Sequence, residues 1–156
     1  MRLLRAGRLA APAAKARVQV SARASARVQA DALLGYFSDA TNAYRFGPPK
    51  YDVVSARLLV DGRSISEDFC FPAGMRLPPQ SASGVRAQLI EAGEGTAVLR
   101  LSSESFLQAV AITGCVPDDN YFHLVPDQTK EVMLRRCEGT VRIDALNLST
   151  AVEAAR

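Results

Sequence analysis

The sequence predicts an all-β protein, and two features of its pattern carry that prediction. Short runs of alternating apolar and polar residues recur about every ten residues, which is typical of an antiparallel β-sandwich or barrel. Clusters of glycine, proline, aspartate and asparagine separate these runs as turns would. The length of 156 residues allows one ordinary domain or two small ones, because domains commonly hold roughly 50 to 200 residues.

The clearest element is a β-hairpin near the middle of the chain. Residues 53–60 alternate in polarity, Asp61-Gly62 follows, and a second run covers 64–71. Asp-Gly supplies the two positive-φ positions that a type I′ turn requires. Before the hairpin, alternation at 17–22 predicts a strand, and a short helix is expected at 30–35. After it, strands are expected around residues 85–89, 97–101, 107–111, 121–125, 132–134 and 141–145.

A change of composition divides the chain into two modules. Between Gly74 and Gly84, two prolines and several small polar residues interrupt the strand rhythm, and we interpret this stretch as a linker. The boundaries that follow are 1–79 and 80–156. The downstream module has six predicted strands, enough for a small sandwich core. The upstream module has three or four, so we expect a partial sandwich whose open edges need covering.

The N-terminal 30 residues hold seven basic residues and no acidic one, whereas the rest of the chain holds 12 basic and 16 acidic residues. One interpretation is a targeting segment, because transit peptides are rich in arginine and poor in acids. The other is that the basic residues lie on the solvent side of strands. Nucleic acid is not an expected partner, since no aromatic residue is interleaved with the basic ones. A membrane is not expected either, because no apolar run approaches the ~20 residues of a transmembrane helix.

Half of the ten aromatic residues lie in the segment 35–51. This segment shows neither strand nor helix periodicity. We predict that these residues contact either a carbohydrate or another domain, because a flat ring buries much surface at low entropic cost. The alternative is that they fold back as a lid over the open end of the upstream sandwich. The candidates are Tyr36, Phe37, Tyr44, Phe46 and Tyr51.

The three cysteines, Cys70, Cys115 and Cys137, are widely spaced and form no CxxC motif. Three buried thiols are the favoured interpretation, and one disulfide with a remaining thiol is the alternative. Buried thiols favour a reducing compartment. A cytoplasmic location is therefore the expectation and a periplasmic one the alternative.

The sequence presents no recognisable catalytic centre. His123 is the single histidine, no GxSxG elbow offers a serine to it, and we expect it to be half-buried or at a rim. Residues 118–120, Asp-Asp-Asn, lack the EF-hand spacing and are interpreted as an Asx-type turn. No metal site and no cofactor are predicted, because clustered ligands and glycine-rich phosphate motifs are both missing. Residues 147–149 match the N-glycosylation pattern, which random sequence often supplies.

Residues 119–132, DNYFHLVPDQTKEV, resemble the DNYFDLLPGE-K-V segment in the C-terminal immunoglobulin-like domain of β-mannosidases and their relatives in glycoside hydrolase family 2. Two upstream stretches, 18–28 and 56–72, are similar to a strand run and to the final hairpin of the preceding sandwich domain in that family. His123 stands where the family usually has aspartate, and Asp127 where it has glycine. The resemblance, over residues 16–150, implies an immunoglobulin-like sandwich joined to the tail of another.

The resemblance also implies a function. Family members place both catalytic glutamates in a central (β/α)₈ barrel of roughly 250 residues, which does not fit in this chain. No catalytic residue is transferred, and no activity of the chain alone is expected. The implied role is a structural or interaction unit of an enzyme that hydrolyses terminal β-mannosides, with the barrel or a neighbouring sandwich as partner. The alternative is a carbohydrate-binding module that uses the loop aromatics.

Overall fold

A computed structural model describes residues 1–35, 50–93 and 95–155 of the chain. Apart from one short α-helix and one 3₁₀ turn, its regular elements are β-strands in antiparallel sheets, so the predicted all-β sandwich class is confirmed. The chain forms two compact units, Met1–Arg76 and Leu77–Arg156.

The described part of the first unit contains one four-stranded antiparallel sheet in the order β2-β1-β3-β4. Helix α1, the short helix expected from the sequence, lies between β2 and β3 in the chain. The bounds of these elements are β1 Arg2–Arg5, β2 Arg8–Leu9, α1 Ala30–Leu34, β3 Val53–Val60 and β4 Arg63–Cys70.

The predicted hairpin is confirmed in β3 and β4. Asp61 has φ 48° and Gly62 has φ 79°, the two left-handed conformations of a type I′ turn. A bulge between Leu58 and Leu59 shifts the register of the hairpin. The two strands therefore pair from Val60 and Arg63 at the turn to Val54 and Cys70 at the base.

The strand predicted at 17–22 is wrong, because those residues form no strand and are exposed. The sheet instead uses the first nine residues, where β1 pairs with β2 on one side and with β3 on the other. Leu3 and Leu4 point to opposite faces of β1, and both are buried. Alternation did not reveal this strand, since a strand covered on both faces has no polar side. The basic N-terminal segment thus contributes a central strand and core residues to this unit.

The second unit is a sandwich of two four-stranded sheets, ordered β5-β6-β10-β8 and β12-β11-β7-β9. Its first, second and sixth strands, β5, β6 and β10, share one sheet, and its third, seventh and eighth strands, β7, β11 and β12, share the other. Immunoglobulin-like sandwiches have the same distribution: the strands conventionally labelled A, B and E share one sheet, and those labelled C, F and G share the other. The bounds are β5 Val85–Gly93, β6 Thr96–Ser103, β7 Leu107–Thr113, β8 Val116–Pro117, β9 Phe122–Leu124, β10 Thr129–Arg135, β11 Arg142–Asp144 and β12 Val152–Glu153, with a 3₁₀ turn at Ala82–Gly84.

Both sheets contribute to one core in the second unit. Leu99, Leu101 and Leu134 come from one sheet, and Leu107 and Ile143 come from the other; all five are fully buried. Each such side chain contributes roughly 1.5 to 3 kcal/mol when removed from water. Where a strand alternates regularly, burial of one residue leaves its neighbours facing outward.

The C-terminal segment closes one side of this sandwich. After β12 has paired in the second sheet, Ala155 pairs in parallel with β5 of the first sheet. The Ala155 N–H donates to the Ala87 carbonyl at 2.9 Å, and the Leu89 N–H donates to the Ala155 carbonyl at 2.7 Å. Backbone groups on this part of the β5 edge are thereby satisfied.

The prediction of three buried thiols is wrong. Cys115 and Cys137 form a disulfide, and Cys70 is exposed at the end of β4. The alternative of one disulfide and a remaining thiol is the correct one. Cys115 and Cys137 are 22 residues apart in sequence and meet only because the loops after β7 and β10 lie together. The argument for a reducing compartment rested on three thiols and no longer holds.

Candidate functional site

Of the five aromatic residues predicted to form a contact surface, four lie outside the described residues: Tyr36, Phe37, Tyr44 and Phe46. The fifth, Tyr51, is only 4% exposed and packs in a small cluster with Leu3 and Val54, against which Met1 and Leu34 also pack. It lies immediately before β3, so its ring turns into the core of the first unit. We therefore remove Tyr51 from the predicted contact surface.

The first unit does present another apolar surface, on the outer part of the β3–β4 hairpin. We call Leu58, Leu59, Val60 and Ile65 the hairpin surface; these residues are between 44% and 59% exposed, with Leu58 and Val60 on one face of β3 and Leu59 on the other. The bulge beside Leu58 leaves Ile65 without a cross-strand partner in the register of β3 and β4. Large apolar residues exposed together mark binding surfaces more often than chance would. Sequence alternation located this hairpin but did not show that residues 1–35 and 50–93 leave its apolar side chains uncovered.

In the second unit, the segment that carries the family resemblance begins with a turn held by its own side chains. The Asp118 carboxylate accepts the Met133 N–H at 2.9 Å. The Asn120 amide oxygen accepts the Ile112 N–H at 2.8 Å, and its amide nitrogen donates to the Ile112 carbonyl at 3.3 Å. Asn120 therefore replaces a neighbouring strand at that point of β7. The oxygens of Asp118 and Asn120 serve backbone amides, in agreement with the predicted turn.

Lys130 joins this turn to β10. Its ammonium group forms an ion pair with the Asp119 carboxylate and lies 4.5 Å from the centre of the Phe122 ring. A cation over an aromatic face is attracted by the ring quadrupole. The two contacts hold Asp119 and Phe122, the residues on either side of the Asn120-Tyr121 pair.

Tyr121 is the most exposed aromatic residue in the described part of the chain, at 70%. Its φ of 60° is rare for a bulky side chain, and its N–H donates to the Val110 carbonyl at 2.7 Å. Strained backbone of this kind often accompanies a functional position. The sequence analysis missed Tyr121, because alternation placed it inside a strand.

Small residues lie beside Tyr121 on the outer face of the second sheet. Val110 and Ile112 of β7 point into the core, so Ala109 and Ala111 face outward. Leu146, 75% exposed, follows β11 on the other side of β7, where its N–H donates to the Gln108 carbonyl at 2.8 Å. We call Ala109, Ala111, Tyr121 and Leu146 the alanine face. Its two large side chains, Tyr121 and Leu146, are both exposed.

His123 is half-buried as expected, and the structure gives it a structural partner. Its Nδ1 accepts the Ala109 N–H at 2.9 Å, at the irregular point where β7 departs from its register with β9. The ring lies 5.6 Å from that of Phe106. Burial lowers the pKa of His123 below its ordinary value, because the charged form loses solvation. The neutral ring with Nδ1 unprotonated is the form that this hydrogen bond requires.

The glycosylation pattern at 147–149 falls on a buried side chain. Asn147 is 3% exposed; its amide nitrogen donates to the Phe106 carbonyl at 2.8 Å, and its amide oxygen accepts the Gln108 N–H at 2.7 Å. The Asn147 carbonyl also accepts the Gln80 N–H at 2.6 Å. Asn147 is thus an internal cross-link between three segments, and its amide nitrogen has no access to a glycan donor.

The carboxylate Glu131, on β10, is engaged across the sheet. Its Oε1 accepts from Nε and Nη2 of Arg100 on β6, at 3.0 and 2.8 Å. Among residues 1–35, 50–93 and 95–155, no group of three or more histidine, cysteine, aspartate or glutamate side chains is placed to hold a metal ion. Nor does any helix in those ranges have the length and apolar character that crossing a membrane requires.

Comparison of the sequence with protein-family models gave no match, and comparison with curated proteins gave none either.

Proposed function

We propose that this chain is a non-catalytic structural and interaction unit of the kind found at the C-terminal end of β-mannosidase-like enzymes of glycoside hydrolase family 2. The observation that carries the proposal is the hairpin surface, which leaves four large aliphatic side chains about half exposed. The resemblance of residues 119–132 supplies the family. The distribution of strands between the two sheets of the second unit is compatible with it.

The hairpin surface has enough apolar area to stabilise a contact. A large aliphatic side chain gains roughly 1.5 to 3 kcal/mol on complete burial, so a partner that contacts both faces of the hairpin and covers all four half-exposed side chains gains roughly 3 to 6 kcal/mol. Much of that gain would offset the lost freedom of two independent molecules. Within one polypeptide that cost is smaller, because covalent linkage already holds the partners together. A neighbouring domain of the same enzyme is therefore the partner that we propose.

The polar side chains of the resemblance segment, with Asp118 directly before it, support a scaffold role. Asp118, Asn120 and His123 each bond to a backbone amide of a neighbouring strand, and Lys130 and Glu131 each form an ion pair. A nucleophile or a general acid needs an atom that faces a substrate. Here the same atoms hold turns and strands in place.

Hydrogen exchange of a fusion protein, read by mass spectrometry, tests the interaction directly. In a fusion of the (β/α)₈ barrel of a family 2 β-mannosidase-like enzyme to the wild-type chain, the hairpin at residues 53–70 is expected to exchange more slowly than in the chain alone. A Leu58→Thr, Ile65→Thr double variant of the fusion should lose this protection, because threonine keeps the β-branched shape suited to a strand but removes apolar surface. A Ser66→Thr variant of the fusion is the matched control and should keep it. Equal protection of all three fusion proteins, or of none, would contradict the proposal.

Two further measurements separate this proposal from other functions. Calorimetric titration with mannosides and other glycans should give no heat; binding that a Tyr36→Ala, Tyr44→Ala variant abolishes would establish the carbohydrate-binding alternative. A Tyr121→Ala variant belongs in the same titration, since this ring is the exposed one that the structure describes. Turnover of an aryl β-mannoside by the chain alone, lost in Glu131→Gln, would overturn the non-catalytic assignment.

A further inference from the structure

The Cys115–Cys137 disulfide connects two loops that each pass from one sheet of the second unit to the other. Residues 114–115 lead from β7 in the second sheet to β8 in the first. Residues 136–141 lead from β10 in the first sheet to β11 in the second. The disulfide therefore links the two crossings at one end of the sandwich.

Up to residue 140, few other contacts hold the second of these loops. Residues 136–140 are exposed, and their backbone hydrogen bonds run from the Arg136 N–H to the Gly95 carbonyl at 3.2 Å and from the Glu138 N–H to the Gly114 carbonyl at 3.0 Å. Val141, at the end of the loop, is buried in the core and accepts the Ala154 N–H at 2.9 Å. The backbones approach closely here, because a Cβ on Gly114 would lie 2.3 Å from the Thr140 carbonyl oxygen. Such a close approach depends on the loops staying together.

The same link holds the start of strand β8, whereas its end is held by Asp118, which forms two hydrogen bonds of 2.9 Å with the Met133 backbone. Strand β8 has only two residues, pairs with β10 at Leu134 and Arg135, and begins directly after Cys115. Val116 on this strand is exposed, so burial contributes little to holding it. The core does not depend on the disulfide in this way, because its buried residues come from both sheets and Cys115 packs only at its margin.

We propose that the disulfide is a redox-controlled clamp, which opens this end of the sandwich on reduction while the core stays folded. A thiolate of a dithiol reductant attacks the sulfur of exposed Cys137, forms a mixed disulfide with it and releases the Cys115 thiolate, which takes a proton. The second thiol of the reductant then releases the Cys137 thiol. In total, the protein disulfide gains two electrons and two protons, and the reductant becomes a disulfide.

Amide hydrogen exchange, read by NMR on the full chain with and without dithiothreitol, tests the clamp. Reduction should speed exchange about tenfold or more at Arg136 and Glu138, whose amides lie in the loop that carries Cys137. The amides of Leu89 and Ala155, which pair at the β5 edge, should keep their protection. The proposal does not depend on the accessory role and would survive its failure.

Three variants complete the experiment. Cys70→Ser keeps the clamp and should respond to reductant as the wild type does. A Cys115→Ser, Cys137→Ser variant should show the reduced pattern and ignore the reductant. Unchanged exchange on reduction, equal acceleration at Leu89 and Ala155, or three titratable thiols in air-oxidised protein would each overturn the proposal.

Discussion

Replacing Asn147 tests whether the second unit depends on a buried amide rather than on a glycan. Asn147→Ala removes the acceptor for the Gln108 N–H and the donor for the Phe106 carbonyl, both in a place that water does not reach. Each buried group left without a partner costs roughly 1 to 3 kcal/mol. The two together should lower the free energy of unfolding by about 2 to 6 kcal/mol.

Urea unfolding followed by far-UV circular dichroism measures this loss, since the chain has no tryptophan to report it by fluorescence. The matched control is Ser149→Ala in the same glycosylation pattern, whose exposed hydroxyl should contribute less than about 0.5 kcal/mol. A glycan acceptor would make both variants behave alike, because either one destroys the pattern. Equal stability of the two variants would refute the reasoning.

Three other predictions concern single residues whose surroundings the structure defines. Gly114→Ala should lower the free energy of unfolding, measured in urea, by more than about 2 kcal/mol, because φ is +86° and the new Cβ would meet the backbone of Thr140. Gly139→Ala is the control: its φ is also +86°, but nothing lies within 4 Å of the new Cβ, so it should cost about 1 kcal/mol. The free energy of unfolding should fall as the pH is lowered from about 7 to 5, because the unfolded chain binds a proton at His123 more readily than the folded chain does. In paired urea titrations at the two pH values, His123→Asn should remove the part of this fall that is due to His123. Leu4→Ala should cost about 2 to 5 kcal/mol in a thermal or urea scan, because this fully buried side chain lies on a central strand; an unchanged midpoint would mean that β1 is dispensable.

Local chemistry explains which elements were predictable. The Asp61-Gly62 turn needs only its own two residues to favour positive φ, so the β3–β4 hairpin followed from sequence. The turn after Val125 behaves similarly: Pro126 precedes Asp127 at φ 61°, and the Gln128 N–H donates to the Val125 carbonyl at 3.3 Å. This is the pattern of a type II turn, in which aspartate takes the place that glycine has in the resembling family.

Alternation failed where a strand depends on distant partners. Residues 17–22 alternate but find no neighbouring strand, whereas Leu3 and Leu4 do not alternate and are both buried, because β3 pairs with β1 from about 50 residues away. The disulfide was equally out of reach, since spacing alone does not reveal which loops meet.

The same distinction between local and distant interactions applies to the candidate site residues. The sequence identified His123 and residues 118–120 as structural, because no partner for catalysis or calcium stands at a suitable spacing. Exposure is a different property, since it depends on what other segments cover. Tyr51, which was predicted in a contact surface, is therefore a core residue, and Tyr121, which was predicted inside a strand, is an exposed one.

By itself, the sequence determined the all-β class, the position of the central hairpin and the turn role of the Asp-Asn cluster, because alternation and turn chemistry act between neighbouring residues. Only the tertiary structure decided that the basic N-terminus supplies a central strand, that Asn147 is an internal cross-link, and that Cys115 pairs with Cys137. Each of these depends on segments far apart in the chain, and it is burial of a shared core that brings them together.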